Sequence, residues 1–164
     1  MIIGNGDIAS ILIDKKDFLF FASGVSNSQE TRASEFSREK NLLFAQYDKH
    51  KDKRLVYISS LSILYNDNAY TRHKRKMEQY VKMFPNWTII RLGNIDWGNN
   101  PHTIINFFRN QKERGEKPII QDAFRYVTDL DEFLYWIGMI PDFNIEMNIP
   151  GKRLTIKEIY DRYT

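Results

Sequence analysis

Residues 1–24, MIIGNGDIASILIDKKDFLFFASG, decide the fold class. Met1–Ile3 predicts a short first strand, which runs into the turn Gly4-x-Gly6-x-x-Ala9 and then a brief helix to about residue 13. The segment 17–22 is continuously apolar, as expected of a strand that is buried on both of its faces. Two strands joined in this way indicate a parallel sheet that is covered by helices.

The same alternation of strand and helix signals continues to the end of the chain. A turn of small polar residues at 23–28 follows the second strand, and a capping box at Thr155 and Glu158 opens a terminal helix. We therefore expect one α/β domain over residues 1–164, an open Rossmann-like parallel sheet with helices on both faces. Helices are expected at about 30–50, 69–84, 102–114 and 129–139, strands at 54–59, 87–92 and 143–149, and shorter extended pieces at 118–120 and 124–127.

The composition restricts the possible chemistry. The chain has no cysteine, which removes disulfides, thiolate catalysis and cysteine-ligated zinc, and no metal site is expected. It has no apolar run of about 18 residues and no signal-peptide pattern, so a cytoplasmic protein is expected. The net charge is +3, with basic clusters at 49–54 and 72–76 that are typical of solvated surface and, less often, of anion binding.

A tyrosine and a lysine share one face of the second long helix. The spacing of Tyr70, Lys74, Met77, Val81 and Phe84 places all five on one stripe, and a lysine in such a stripe needs a reason. An ammonium one turn away favours the phenolate, so this pair is suited to moving a proton to or from a sugar hydroxyl or carbonyl. The alternative is a core tyrosine beside a lysine that extends to water.

Serines come just upstream of this pair. Ser59, Ser60 and Ser62 follow a strand and lie at its carboxyl end, the edge at which ligands bind in open α/β sheets. The glycine turn after the first strand is suited to a pyrophosphate, because glycines allow close approach and a helix amino end offers free N–H groups. A tight turn with no ligand is the other interpretation.

In this order the motifs resemble the extended short-chain dehydrogenase/reductases, the NAD-dependent nucleotide-sugar epimerases and dehydratases. The resemblance includes the small-residue turn at 21–24 and the strand that runs into 91–98. It also includes a substrate-side segment at 124–130 and the late strand and helix at 148–158, so it extends over nearly the whole chain.

The resemblance implies a role for each motif. Tyr70 would be the acid–base residue, Lys74 would assist it and touch the nicotinamide ribose, and Ser60 would hydrogen-bond the substrate oxygen, with Ser59 and Ser62 as rivals. NAD or NADP would be the cofactor, and a nucleotide-activated sugar would be the substrate. The cofactor would lie against Lys74 and two turns formed by Gly4, Asn5, Gly6, Asp7 and Ile8 and by Ala22, Ser23 and Gly24. Asn94 and Arg125 would meet the sugar nucleotide, unless they are a turn residue and a surface charge.

The chain also departs from the family pattern. After Ala9 and one short helix it passes into the counterpart of the family's fourth strand, so strands two and three are missing. The acidic residue that binds the adenosine ribose is lost with them, and Asp14 and Asp17 come too early to replace it. One lost charge-assisted hydrogen bond, about 1.5–3 kcal/mol, weakens binding by about 10- to 100-fold, so NAD or NADP is expected to bind more weakly than in the family.

Three functions therefore remain open: an NAD(P)-linked oxidoreductase or epimerase, a non-catalytic nucleotide-sugar-binding or regulatory module, and, least supported, a nucleic-acid-binding protein. We expect the first strand at one edge of the sheet. We also expect a homodimer through the helices at 30–50 and 69–84, as in the family, because Leu42, Phe44 and Tyr80 lie off their main apolar stripes.

Overall fold

A parallel five-stranded sheet forms the centre of the molecule. The structure is a computed structural model that describes residues 1–164. The strand order is β1-β2-β3-β4-β7, and every neighbouring pair is parallel. These strands are β1 (Ile2–Ile3), β2 (Phe18–Phe21), β3 (Arg54–Ser60), β4 (Trp87–Leu92) and β7 (Ile145–Ile149). The expectation that the first strand lies at an edge is confirmed, and the α/β fold class is confirmed with it.

Helices cover both faces of this sheet. Helices α1 (Ala33–Tyr47) and α2 (Ala69–Val81) lie on one face and α4 (Leu130–Gly138) lies on the other. Helices α3 (Ile104–Glu113) and α5 (Ile156–Tyr163) pack against each other in a separate apolar cluster that includes Val127. Because side chains alternate along a strand, Val56 and Ile58 of β3 pack on the α4 side, whereas Leu55 and Tyr57 pack on the side of α1 and α2. The sheet therefore has two buried faces, which explains why its strands are continuously apolar.

Helix α2 begins at a capping box. The side chain of Asn68 accepts a hydrogen bond from Thr71 N (2.8 Å), and the hydroxyl of Thr71 accepts one from Asn68 N (3.0 Å). This start fixes the helical phase, and the five residues of the predicted stripe are all buried. The stripe faces the core, as the spacing predicts.

A second sheet was not anticipated. Three short strands, β5 (Asn94–Ile95), β6 (Phe124–Thr128) and β8 (Lys152–Thr155), pair in the order β5-β6-β8, with β8 antiparallel to β6. The strand expected at 143–149 is present as β7, but the expectation that no strand follows it is wrong, because a turn at Gly151 (φ +66°) leads into β8. The extended piece expected at 118–120 has no strand partner.

The segment after the glycine turn also differs from the expectation. It is a single 3₁₀ turn, Ala9–Ile11, and not a helix with several turns. Three residues build almost no macrodipole, so the helix-based argument for a pyrophosphate site at this turn does not hold. No helix in the structure is long and apolar enough to cross a membrane.

Candidate functional site

A polar cleft of about 780 Å³ lies at the carboxyl ends of β1 to β4. Clefts of 300–1,000 Å³ are typical of small-molecule sites, and this edge is the usual ligand position in open α/β sheets. Six asparagines line it: Asn5, Asn66, Asn68, Asn94, Asn99 and Asn100. Neutral amides that both donate and accept suit a ligand rich in hydroxyl groups.

The fold gathers nearly all the residues that the sequence singled out. The cleft is lined by Asn5, Gly6, Asp7, Ile8, Ala22, Ser23, Gly24, Ser59, Ser60, Ser62, Tyr70, Lys74, Asn94 and Arg125. Gly4 alone lies outside it, because the turn presses it against the backbone of Ala22. A Cβ atom on Gly4 (φ +130°) would come within 2.4 Å of the Ala22 carbonyl oxygen, so this glycine is required by the turn itself.

Tyr70 lies in the first turn of α2 and contributes to the cleft wall. Its ring is 7% exposed, and its hydroxyl makes no hydrogen bond within the protein. The ammonium of Lys74 lies 5.8 Å from the centre of the ring. The phenol is thus held in place by packing, while its oxygen is left without a protein partner.

Lys74 does not extend to water, which excludes the snorkelling alternative. Its side chain is almost fully buried, and Nζ donates to Glu39 Oε1 (2.9 Å) and to the hydroxyl of Tyr57 (3.1 Å). Gly24 covers this pair from the β2–α1 loop, because a Cβ atom there would lie 2.5 Å from Nζ and 2.8 Å from Glu39 Oε1. The reason for a lysine in the apolar stripe is therefore a buried counter-ion on α1.

Glu39 is fully buried and accepts four hydrogen bonds. Oε1 accepts from Lys74 and from the Tyr57 hydroxyl (2.6 Å), and Oε2 accepts from Val25 N (2.8 Å) and His73 Nε2 (2.9 Å). Burial by itself raises the pKa of Glu39, but the Lys74 charge and these hydrogen bonds lower it by more, so the pKa falls well below its usual range. Glu39 is thus ionised in the folded protein.

Tyr57 responds in the opposite direction. Its side chain is fully buried, and burial together with the adjacent Glu39 charge raises the pKa of Tyr57 well above its usual value. Tyr57 therefore remains a neutral phenol that donates to Glu39 and accepts from Lys74.

The three serines have different environments. The Ser60 hydroxyl lies 2.7 Å from that of Ser62 and accepts from Ser62 N (3.2 Å), so the two form a pair at the cleft wall. Ser59 has the opposite side-chain direction on β3 and donates to Glu78 Oε1 (2.7 Å), which a bidentate contact also ties to Arg91. The Ser59 hydroxyl therefore already donates to a carboxylate, whereas the Ser60 and Ser62 hydroxyls are hydrogen-bonded only to each other's residues.

Three more of the predicted residues, Asn94, Arg125 and Asp7, have local hydrogen-bond partners. Asn94 donates to the Tyr126 carbonyl oxygen (3.0 Å), and Arg125 donates to the Phe124 carbonyl oxygen (2.8 Å). Arg125 has no carboxylate within ion-pair distance. The Asp7 carboxylate accepts from Asn100 N (2.8 Å), which fastens the loop after β5 to the glycine turn.

The basic cluster at 72–76 is not a continuous cationic surface. Lys74 and His73 are buried against Glu39, and both Arg72 and Arg75 pair with Asp67. In the other cluster, Arg54 is buried and donates to two backbone carbonyl oxygens. Part of each basic cluster is therefore used inside the fold.

Glu39, His73 and Tyr57 were missed by the sequence reasoning, although a signal for Glu39 exists. Phe36 and Leu43 lie on one side of α1, and Glu39 lies between them at helical spacing, just as Lys74 interrupts the stripe on α2. Two opposite charges in two facing apolar stripes indicate a buried ion pair.

Comparison with solved structures shows the fold. The Bordetella bronchiseptica enzyme WbmG, solved in complex with NAD and UDP, superposes with a TM-score of 0.70 at 17% identity over 88% of this chain and 54% of that one. A UDP-galactose 4-epimerase gives 0.65 at 13% identity, over 88% and 60% of the two chains. dTDP-4-dehydrorhamnose reductase from Bacillus anthracis, in complex with NADP, gives 0.66 at 16% identity, over 88% and 61%.

The chain thus has the fold of extended short-chain dehydrogenase/reductases, as its motifs predict, and spans a little over half the length of these structures. No family model matches the sequence. No curated protein matches it either.

Proposed function

We propose that this protein is an NAD(P)-linked oxidoreductase or epimerase that acts on a nucleotide-activated sugar, with Tyr70 as the acid–base residue. The observation that carries the proposal is the Tyr70 hydroxyl, which lines the cleft without a protein partner, one helical turn from Lys74. An unpaired phenol in a polar cleft is available to a ligand. The NAD, UDP and NADP in two of the similar structures, and the UDP- and dTDP-linked sugars for which two of the enzymes are named, add support for this class of ligand.

The roles of the residues follow from their atoms. Tyr70 would give its proton to a substrate carbonyl oxygen, or in the reverse direction take the proton of a substrate hydroxyl. The Ser60–Ser62 pair offers hydroxyl hydrogen atoms to the same oxygen. The nicotinamide ring would carry the hydride that is lost or gained by the sugar carbon.

The residues fit the nicotinamide end of such a cofactor better than its adenine end. At the nicotinamide end, Lys74 retains one ammonium hydrogen that has no protein partner. At the glycine turn, where a pyrophosphate would lie, Gly6 has open space on the side where a Cβ would stand. At the other end the 3₁₀ turn replaces a helix, and β1 is the last strand of the sheet. We therefore expect NAD or NADP to bind weakly, chiefly through its nicotinamide half.

Calorimetric titration of the whole chain with NADH, NADPH and a panel of nucleotide sugars tests this function, followed by turnover assays with every pair that binds. Binding of a nicotinamide nucleotide together with turnover of one sugar nucleotide is the expected result. Binding of a nucleotide sugar without any nicotinamide nucleotide would overturn the redox assignment.

The binding or regulatory module is the second candidate function. It is favoured by the Asp7–Asn100 hydrogen bond, which ties a loop across the glycine turn where the cofactor pyrophosphate lies in complete Rossmann domains. The same titration distinguishes the two functions, because this module binds the sugar nucleotide alone.

A further inference from the structure

The position of Glu39 accepts only a carboxylate. Each of its two oxygens faces a group that can only donate: the backbone N–H of Val25 on Oε2 and the Lys74 ammonium on Oε1. A glutamine has one acceptor oxygen, so its amide N–H₂ would oppose one of these two donors. The carboxylate is therefore selected by its surroundings, and α1 and the β2–α1 loop are joined to Lys74 through it.

This contact changes what Lys74 can offer to a ligand. Two of its three ammonium hydrogens are used by Glu39 and Tyr57, and its charge is balanced at 2.9 Å by a carboxylate that remains ionised. One hydrogen is left for the cleft. A compensated ammonium with one free N–H is a hydrogen-bond donor for a neutral hydroxyl and a poor site for a phosphate.

The other basic side chains of the cleft support this division. Arg38 pairs with Glu35, at 3.1 Å and in an exposed position, whereas Arg125 has no carboxylate partner and lines the cleft near Tyr65. The uncompensated charge in the cleft therefore lies on the Arg125 side. A ligand with one anionic end and one polyol end has a complementary position for each.

We propose that Glu39 is a positioning residue, which holds Lys74 as a donor for a neutral ligand hydroxyl and prevents it from acting as a phosphate-binding charge. The proposal rests on the proposed function for the identity of that hydroxyl, a ribose or sugar hydroxyl. A purely structural role does not predict the same result. If the proposal holds, removal of the carboxylate lowers the affinity for a neutral hydroxyl ligand and raises the affinity for a phosphate.

The test compares wild type with Glu39→Gln, using the neutral dihydronicotinamide riboside and inorganic pyrophosphate as probes. In Glu39→Gln the riboside should bind about tenfold more weakly and pyrophosphate about tenfold more tightly, each the worth of one charged hydrogen bond. Glu146→Gln is the matched control and should change neither affinity. Glu146 lies on β7, away from the cleft, and pairs with Arg91 and Lys82. Parallel weakening of both probes in Glu39→Gln would overturn the proposal.

Tyr57→Phe is a second variant, which tests the proposal even if Glu39→Gln does not fold. It keeps the ring and leaves the Lys74 charge compensated, so pyrophosphate binding should stay constant. Riboside binding should weaken, because Lys74 Nζ is then held in position by one contact fewer. The ¹H–¹⁵N signal of the Lys74 ammonium supplies a readout that is independent of any ligand. We expect it to be protected from solvent exchange in wild type and unprotected in Glu39→Gln; an unchanged signal would overturn the proposal.

The two proposals can fail separately. If wild type binds neither the riboside nor NADH, the proposed cofactor is wrong, yet the pyrophosphate comparison and the Lys74 signal still decide the role of Glu39.

Discussion

At the scale of single residues, Tyr70 and Lys74 combine two features that do not usually occur together. The phenol has a buried ring and an oxygen without a protein partner, while the ammonium beside it is bound by Glu39. Tyr70 and Lys74 belong to the same apolar stripe. An apolar side chain in place of Lys74 would nevertheless destabilise the fold, because Glu39 would lose its buried counter-ion. The substitutions at these two positions should therefore affect different properties.

Tyr70→Phe should lower turnover by about 10²–10⁴-fold, the usual contribution of a general acid–base group, because it removes the transferable proton and keeps the ring. Its thermal midpoint should stay close to that of wild type, since no protein hydrogen bond is lost. Tyr80→Phe, a half-buried tyrosine on the same helix, is the control and should retain full turnover. Full activity in Tyr70→Phe would exclude Tyr70 as the acid–base residue.

Lys74→Met should destabilise the fold by about 3–5 kcal/mol, because it leaves the Glu39 carboxylate buried without its cation. If the lysine extended to water, methionine would suit the apolar stripe and stabilise the fold. The buried ion pair reverses the sign of this change in the free energy of unfolding. Urea unfolding measures the change. The double variant Lys74→Met with Glu39→Leu should recover much of the loss, and additive losses would argue against coupling.

Alkaline pH should destabilise the protein through Tyr57. Because the pKa of Tyr57 is raised on folding, its contribution is fully present below the unfolded value of about 10 and declines as the pH rises above it. Urea unfolding at pH 7, 9 and 10.5, with tyrosinate absorbance recorded in parallel, should show a fall only at the highest pH. In Tyr57→Phe this fall should be smaller.

At the scale of elements, the sequence indicated the parallel core well because its signals are local. Each of the apolar segments at β2, β3 and β4, and the stripe on α2, can be recognised from the residues of that element alone. Strand β8 was missed because KRLT is short and polar, and it becomes a strand only by pairing with β6. The Glu39 contact was missed for a similar reason, since its partners come from three other segments.

The glycine turn permits a prediction about one element. Gly6→Ala should leave stability nearly unchanged, because a Cβ there meets no atom within 4 Å. It should nevertheless weaken NADH binding if the cofactor approaches this turn, because the added methyl group stands in the open space. Thermal denaturation and NADH titration of the same sample measure both effects. Unchanged NADH affinity would show that the turn does not contact the cofactor.

At the scale of the whole molecule, association through α1 and α2 remains a prediction. Leu42, Phe44 and Tyr80 are half-buried, and the rings of Phe44 and Tyr80 pack against each other at 5.1 Å under Lys40. They form a compact surface between the two helices, which suits a four-helix contact of two copies. Light scattering at tens of micromolar should give twice the mass of the chain, and a single-chain mass would contradict this.

The burial of Glu39 and Lys74 on separate helices also constrains how this sequence can diverge. A substitution at either position alone leaves a buried charge without its counter-ion. The pair can therefore be replaced only through an intermediate that folds poorly, or by two simultaneous substitutions. Substitutions at the two sites should consequently be inherited together. In a randomised library selected for folding alone, survivors should carry either both charges or two neutral residues.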